Sequence, residues 1–327
     1  MMCTRSMSGL AMLCLCQMSE ATVSANVTVS ANVAVSANVT VSANVTEEVP
    51  YCEGVAPAAG RTIEPPSEIS SEAVSVKELS TPELDAWTHQ SNLYFVVGQL
   101  PADKVIRIPR LANSVKSIYW KIAADNKMNL RPEPAEWLID LAPLPADASA
   151  ILVMELDGPL TLFSETLSDS PDKEGVIRLP ASHATTSGAN LRYEPQPHKN
   201  TVGYWSIEKD TASWKFQGTE AGDYEIDILQ GCGKGHGGSS VKLVVTDNTA
   251  DTQQELSFEV QETGHFQNFV WRKLGTVRIS SSGKQTVQLI PVRKVAGAVM
   301  DVREVRIVPK GTDRTFEPQL QDPGAFR

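Results

Sequence analysis

The chain has 327 residues, enough for two domains of ordinary size, each with its own core. Its net charge of −10 and its pI of about 5.1 argue against nucleic acid or an anionic membrane as a partner, since such partners need clustered Lys and Arg. With 20 Pro, 21 Gly and many runs of Val, Ile and Thr, the body of the chain is typical of short strands joined by turns. We expect an all-β protein with two consecutive antiparallel β-sandwich modules after a disordered N-terminal region.

Residues 1–20 have the layout of a leader. Arg5 precedes the apolar run 9–16, which Gln17 ends. A run of this length matches the core of a short signal peptide and is too short to span a bilayer. We therefore expect an extracytoplasmic or secreted protein with no membrane span.

Residues 21–80 have low complexity. The hexad Val-Ser-Ala-Asn-Val-Thr recurs from residue 23 to residue 46, with one Ala in place of Thr, and a stretch rich in Pro, Glu and Ser follows up to residue 80. Four hexads without glycine or large apolar residues bury too little surface for a stable β-solenoid. This predicts disorder, with order beginning near Thr81. Asn26, Asn38 and Asn44 stand in Asn-Val-Thr sequons, which matter only in a eukaryotic secretory pathway.

Cysteines are sparse and unevenly placed. They are Cys3, Cys14, Cys16, Cys52 and Cys232. Since Cys232 alone lies in a predicted domain, we expect no disulfide framework in the folded part.

Residues 81–170 predict the first sandwich, because apolar or alternating runs are separated by Pro, Asn and Asp. The runs are residues 84–88, 93–97, 105–109, 115–120, 137–141 and 150–158. The segment resembles the C-terminal β-domain of bacterial α-L-fucosidases through a Leu-Tyr strand, an Ile-x-Ile-Pro-x-Leu strand, a Trp-x-Ile-x-Leu strand and a final Val-x-Glu-Leu-Asp-Gly strand. These match residues 93–94, 106–111, 137–141 and 153–158, and a Val-x-x-x-Tyr strand matches residues 115–119.

The resemblance implies no catalytic residue in this segment. The active site of those fucosidases lies on a (β/α)₈ barrel, which needs about 250 residues of alternating strand and helix. Only a leader and a low-complexity linker precede the domain here. We therefore expect a protein without enzymatic activity.

Residues 171–310 predict a second run of strands, and residues 311–327 form a tail. The strands lie at residues 175–180, 200–205, 212–216, 222–228, 241–245, 275–279 and 286–290. The segment resembles carbohydrate-binding modules of the galactose-binding-like jelly-roll type. The resemblance rests on a Val-Gly-Tyr turn, an Ala-Gly-x-Tyr-x-Ile strand, a Thr-Gly-x-aromatic-x-Asn-aromatic turn, a Gly-Lys-x-Thr-Val hairpin and a Met-Asp-Val strand.

That resemblance implies a carbohydrate site with four residues. Tyr204 matches the Val-Gly-Tyr aromatic, Phe266 the aromatic of the Thr-Gly turn and Asp301 the acidic residue of the closing strand, and Asn268 follows the same turn as Phe266. An aromatic ring can cover the apolar face of a pyranose while amides and carboxylates pair with its hydroxyls. We expect these groups to gather at one loop end of the module.

Alternatives remain for each type of site residue. Tyr204 and Phe266 can instead pack inward in the sandwich. Asp301 can instead pair with Arg303 or Arg272.

Metal and cofactor sites find little support. The resemblance implies a structural calcium site built from acidic residues of the first strand, but residues 178–182 read Arg-Leu-Pro-Ala-Ser. The Gly-rich loop 230–238 lacks the Ser or Thr and the helix of a phosphate-binding loop, and Cys232 with His236 is an incomplete ligand set for a metal. We expect no cofactor and no metal, and a structural calcium ion is the alternative.

The leading functional hypothesis is a non-catalytic carbohydrate-binding or accessory protein related to the C-terminal part of a secreted glycoside hydrolase. One alternative is a fragment of an α-L-fucosidase or sulfatase whose catalytic domain is elsewhere. Another is a structural or adhesion module of the cell surface. The sequence indicates neither the sugar nor the oligomeric state.

Overall fold

The computed structural model describes residues 65–145, 148–218, 220–280 and 282–313. These residues form 21 strands and two 3₁₀ helices, Lys77–Leu79 and Ala181–His183. The predicted all-β class is confirmed for them. Within the described ranges no helix is long and apolar enough to cross a membrane. The predicted leader, the hexad repeat and the end of the tail lie outside the described residues.

The first group of strands covers residues 74–156. It comprises β1 (Val74–Ser75), β2 (Leu84–His89), β3 (Asn92–Val97), β4 (Val105–Pro109), β5 (Val115–Trp120), β6 (Ala123–Lys127), β7 (Asn129–Pro132), β8 (Glu136–Asp140) and β9 (Ile151–Leu156). A six-stranded sheet has the order β1-β2-β3-β9-β5-β6, and a three-stranded sheet has the order β4-β8-β7. Alternate residues point inward, as with Ile106 and Ile108 of β4, because successive side chains of a strand face opposite ways.

Ordered structure begins before Thr81, so the predicted start of order near that residue is wrong. Strand β1 and the helix Lys77–Leu79 lie in the segment that the sequence assigns to the linker. The amide of Val76 donates to the carbonyl of Ala86 over 2.8 Å, and Val76 and Leu79 are buried. A few apolar residues suffice to order this polar segment, because they pack at the edge of the core that β2 and β3 form.

The second group of strands covers residues 168–309. It comprises β10 (Ser168–Asp169), β11 (Ile177–Pro180), β12 (Thr185–Ser187), β13 (Arg192–Glu194), β14 (Thr201–Gly203), β15 (Thr211–Gln217), β16 (Gly222–Gly231), β17 (Ser240–Asp247), β18 (Thr252–Glu259), β19 (Val270–Ile279), β20 (Lys284–Arg293) and β21 (Asp301–Pro309). One sheet has the order β10-β15-β20-β17-β18 with β12 also on β15, and the other has the order β13-β14-β21-β16-β19 with β11 also on β21.

These two sheets share one core. Trp214 and Leu289 come from the first of them and Ile226 and Ile307 from the second, and all four are buried in the same cluster. Burying each such side chain contributes about 1.5–3 kcal/mol. Because the two sheets meet through alternate apolar residues, the ends of their strands are free to carry loops and a site.

The same buried cluster continues into the first group of strands. Leu111 and Trp137 belong to it, and the ring of Trp137 lies 6.2 Å from that of Tyr193 on β13. Strand β10 lies before the predicted boundary at residue 170 yet pairs with β15. The division into two domains stays a prediction. Residues at the contact between the two groups of strands, such as Trp137 and Tyr193, are buried.

Candidate ligand-binding site

Tyr204 lies outside the core, directly after β14. Tyr204 is 52% exposed, so the alternative of inward packing is wrong for this tyrosine. Its backbone has a φ of 59°, in the left-handed region, and its carbonyl accepts a hydrogen bond from Ser206 N. Such a conformation costs a non-glycine residue about 1–3 kcal/mol and persists where the surroundings fix it. The turn therefore holds Tyr204 at the surface.

A guanidinium group covers the ring of Tyr204. Cζ of Arg192 on β13 lies 3.6 Å from the ring centroid, and Nζ of Lys199 lies 5.9 Å from it. A cation over an aromatic face is attracted by the ring quadrupole. Nη1 of Arg192 in turn lies 3.5 Å from Oε2 of Glu133, in the turn between β7 and β8. The ring of Tyr204 is therefore surrounded by the charged side chains of Arg192, Lys199 and, through Arg192, Glu133.

Asp301 begins β21 and is only 5% exposed. No described residue donates a hydrogen bond to its carboxyl group, and neither Arg303 nor Arg272 forms an ion pair with it. Burial raises the pKa of Asp301 well above its ordinary value, and the nearby Glu194 raises it further, while the positive charges of Lys199 and Arg303 lower it. The carboxyl group thus favours its neutral form, in which it can both donate and accept a hydrogen bond.

Glu194 and Lys199 form an ion pair beside Asp301. Nζ of Lys199 lies 2.5 Å from Oε1 of Glu194, whose side chain is 4% exposed. Strands β13 and β14 pair so that Glu194 faces Thr201, and residues 195–200 form the turn between them. The ion pair therefore links Lys199, in this turn, to Glu194, which lies beside Gly203 together with Asp301.

Gly203 makes room for both carboxyl groups. A Cβ on this residue would lie 2.6 Å from Oε2 of Glu194 and 3.1 Å from Oδ1 of Asp301. Contacts this short require the neighbours to move. The glycine of the Val-Gly-Tyr motif is thus explained by the close approach of the two acids, with Tyr204 directly after it.

Arg303 holds the turn 195–200 through two of its backbone carbonyls. Its guanidinium donates to the carbonyl of Lys199 over 2.7 Å and to that of His198 over 2.9 Å, and its Cζ lies 3.9 Å above the ring of Phe269. Arg272, the other suggested partner of Asp301, donates to Gln230. Both arginines therefore hold backbone or side-chain oxygens other than those of Asp301.

Phe266 packs within its own pair of loops. A Cβ on Gly233 would lie 2.6 Å from its ring, and the imidazole of His236 meets the ring edge at a centroid distance of 5.1 Å. Its carbonyl oxygen would lie 1.9 Å from a Cβ on Gly231, which pairs with Asp301. The Phe266 backbone is therefore close to the start of β21, while its ring supports the Gly-rich loop.

Asn268 uses its amide to close a turn. Its Nδ2 donates to the carbonyl of Thr263 over 2.6 Å, and its Oδ1 is buried without a partner. Among the described residues, no hydrogen bond, ion pair or ring contact joins Phe266 or Asn268 to Tyr204 or Asp301. The four predicted residues thus divide into the exposed Tyr204 and the buried Asp301, which Gly203 brings near each other, and a pair that shapes the neighbouring loops.

Sequence reasoning missed Arg192, Glu194 and Lys199. A usable signal existed in the hairpin itself, since Asn200 precedes the Val-Gly-Tyr motif and has a φ of 42°. Asn tolerates this left-handed conformation better than most residues, which marks a turn. Reading the register outward from that turn would have placed Arg192 opposite Gly203.

The Gly-rich loop buries Cys232 and leaves His236 partly exposed. Cys232 is fully buried, and burial raises the pKa of its thiol to about 11. Nδ1 of His236 accepts a hydrogen bond from the amide of Ala298. Across the described ranges, no group of three or more His, Cys, Asp and Glu side chains is placed to hold a metal ion.

Comparison with known proteins assigns no family. No family model matches the chain, and no curated protein matches it. Among solved structures, it is similar to an α-L-fucosidase from Vibrio sp. strain EJY3, with 14% identity, a TM-score of 0.31, and coverage of 70% of this chain and 40% of the fucosidase. A family 35 carbohydrate-binding module from Clostridium thermocellum has 12% identity, a TM-score of 0.32, and coverage of 40% and 96%.

A third similar structure is the C-terminal family 6 carbohydrate-binding module of a laminarinase from Zobellia galactanivorans. It has 18% identity and a TM-score of 0.32, and the alignment covers 41% of this chain and 98% of the module. This chain spans less than half of the fucosidase. With TM-scores near 0.3, these similarities assign neither a family nor a function to the chain.

Proposed function

We propose that this chain is a non-catalytic carbohydrate-binding protein whose sugar site is formed by Tyr204 and Asp301. One observation carries the proposal: Asp301, a buried carboxyl group to which no described residue donates a hydrogen bond, begins the strand that pairs with β14, and the half-exposed Tyr204 follows β14 directly after Gly203. A buried polar group without a partner is unfavourable, and a ligand hydroxyl can supply the missing hydrogen bonds.

The chemistry fits a pyranose. The free part of the Tyr204 ring offers apolar surface to the axial hydrogens of the sugar, while a neutral Asp301 carboxyl both donates to and accepts from its hydroxyls. Arg192, which lies over the ring, and Lys199, which lies beside it, supply further donors. Phe266 and Asn268 act indirectly in this proposal, since they shape the loops next to Gly231.

The proposal assigns the chain no catalytic step and places it outside the cytoplasm as an accessory protein of polysaccharide breakdown. A preparation of the full chain should bind at least one glycan on a broad array and release no nitrophenol from an aryl fucoside. Glycan turnover that is abolished by changing one Asp or Glu would instead favour an enzyme. Silence on the array would favour a structural or adhesion role.

Tyr204→Ala should weaken binding of the best array glycan by about 1–2 kcal/mol, near tenfold, because few aromatic anchors carry such contacts. Ile122→Ala is a matched control, since Ile122 is 62% exposed and lies in the first group of strands. Equal loss in both variants would point to a general effect on the fold rather than to a site at Tyr204.

A further inference from the structure

The turn that carries Lys199 is fastened to the first group of strands. The carbonyl of Pro195 accepts hydrogen bonds from the amide of Val115 over 2.8 Å and from Oγ of Ser114 over 2.9 Å. Nε2 of Gln196 donates to the carbonyl of Leu130 over 3.0 Å. Three hydrogen bonds at two successive residues therefore fix the beginning of the turn to β5 and β7.

The rest of the turn follows from that beginning. The carbonyl of Gln196 accepts from the amides of Lys199 and Asn200, over 2.9 and 2.7 Å. Oδ1 of Asn200 accepts from the hydroxyl of Tyr193 over 2.7 Å. Because the carbonyl of Gln196 accepts the hydrogen bond from Lys199 and its side chain is held by Leu130, displacement of Gln196 would be passed to Lys199.

A second link reaches the aromatic surface itself. Glu133, between β7 and β8, lies 3.5 Å from the guanidinium group of Arg192, whose Cζ is 3.6 Å above the ring of Tyr204. Strand β7 and the turn after it thus make two contacts with the hairpin β13–β14. Leu130 contacts Gln196, and Glu133 contacts Arg192.

We propose that the first group of strands is a working part of the ligand site and that Gln196 is a positioning residue, which sets Lys199 and Tyr204 without touching the ligand. The proposal rests on the proposed function in taking the ligand to be a glycan and in placing its site at Tyr204. The functional unit then comprises both groups of strands. The position of the hairpin β13–β14 depends on the positions of β5 and β7.

The first test follows hydrogen exchange in the full chain and needs no ligand. Gln196→Ala removes the side chain, and Gln196→Glu keeps its shape but replaces the NH₂ donor. Amides of residues 197–204 should exchange about fivefold faster in both variants, as expected for loss of one hydrogen bond, while residues 240–259 keep the wild-type rate. Gln253→Ala, at an exposed position of β18, serves as the control.

Unchanged exchange at residues 197–204 in folded variants would overturn the proposal, and so would wild-type behaviour of Gln196→Glu alone, since that would reduce Gln196 to a space-filling role. If Gln196→Ala does not fold, Gln196→Glu carries the test, because it keeps the size of the side chain and removes the donor to the carbonyl of Leu130.

The second test titrates wild type and variants with the tightest-binding member of a fixed panel of galactan, xylan, mannan, laminarin and fucoidan oligosaccharides. Affinity of Gln196→Ala and Gln196→Glu should fall about fivefold with the melting temperature within a few degrees of wild type. Faster exchange with unchanged affinity would overturn the proposal. If the wild type binds no member, the proposed function fails, and the exchange rates alone decide whether Gln196 positions the turn.

Discussion

The carboxyl groups of Glu194 and Asp301 approach each other across Gly203, with one oxygen of each within 3.1 Å of the position that a Cβ on this glycine would take. Lys199 neutralises Glu194 directly, whereas no described residue donates a hydrogen bond to the Asp301 carboxyl. Burial and the nearby Glu194 raise the pKa of Asp301 and so favour its neutral form.

Asp301→Asn should change how stability depends on pH. Since burial and Glu194 raise the pKa of Asp301 well above its ordinary 3.8, the unfolded chain loses this proton at a lower pH than the folded chain does. The contribution of the group to the free energy of unfolding is complete below pH 3.8 and is lost as pH rises through the folded pKa. The asparagine does not titrate and avoids this loss.

The melting temperature of Asp301→Asn relative to wild type should therefore rise between pH 4 and neutral pH, followed by scanning calorimetry. Asp125→Asn, on the exposed strand β6, should show no such trend. A constant difference between Asp301→Asn and wild type over this range would mean that Asp301 is charged in the folded protein.

Gly203→Ala should destabilise the fold and disturb the site together. The added methyl group would lie 2.6 Å from Oε2 of Glu194 and would force apart two acids that are both buried. We expect a loss of about 1–3 kcal/mol in the free energy of unfolding, measured with denaturant. Gly222→Ala is the control, because a Cβ there meets nothing closer than 3.7 Å. Equal stability of the two variants would refute the crowding at Gly203.

The joint between the two groups of strands offers another test. Arg110 is buried, its Nη2 donates to the carbonyl of Ser182 over 2.9 Å, and its Cζ lies 3.9 Å from the ring centroid of Phe163. Burial lowers the pKa of Arg110 to about 10. Arg110→Ala should cost about 2–3 kcal/mol of unfolding free energy, as for loss of a buried polar contact.

Arg107→Ala is the matched control for Arg110→Ala. Arg107 is half exposed and pairs with Asp103 over 2.8 Å, so its removal should cost at most about 1 kcal/mol. Both variants and the wild type should unfold in a single transition, because the core is continuous across the joint. Two resolved transitions in the wild type would show that the groups unfold independently.

Calcium should not affect stability. Arg178 lies on β11, the strand to which the resemblance assigns a calcium site, and its Nη1 lies 3.0 Å from Oε1 of Glu304 on β21. A guanidinium group there supplies a positive charge of its own, which repels a second cation. The melting temperature should be equal in millimolar calcium and in excess EDTA. A fall of several degrees on chelation would reveal a calcium site elsewhere in the chain.

Much of the fold could be predicted because most strands alternate or are wholly apolar, as in β4 and β9. Strand β18 was missed, since its residues Thr252–Glu259 are largely exposed and polar and carry no inward stripe. The segment before Thr81 was assigned to the linker for the same reason: three buried apolar residues, Ile69, Val76 and Leu79, are too few to stand out from a polar background.

The candidate site was predicted in part. Tyr204 and Asp301 follow from a short motif, but their partners depend on pairing between strands that are far apart in the chain, as with Gly231 and Asp301. Phe266 and Asn268 were expected to face a ligand. Their residue types suit a loop support equally well, and only the contacts with His236 and Thr263 distinguish the two roles.

The most direct test of the sugar site is calorimetric titration of the full chain with its best array glycan. The account predicts measurable binding to the wild type and to Ile122→Ala, and about tenfold weaker binding to both Tyr204→Ala and Asp301→Ala, with folding verified by circular dichroism. Wild-type affinity in both folded variants, or no binding of any glycan to the wild type, would contradict it.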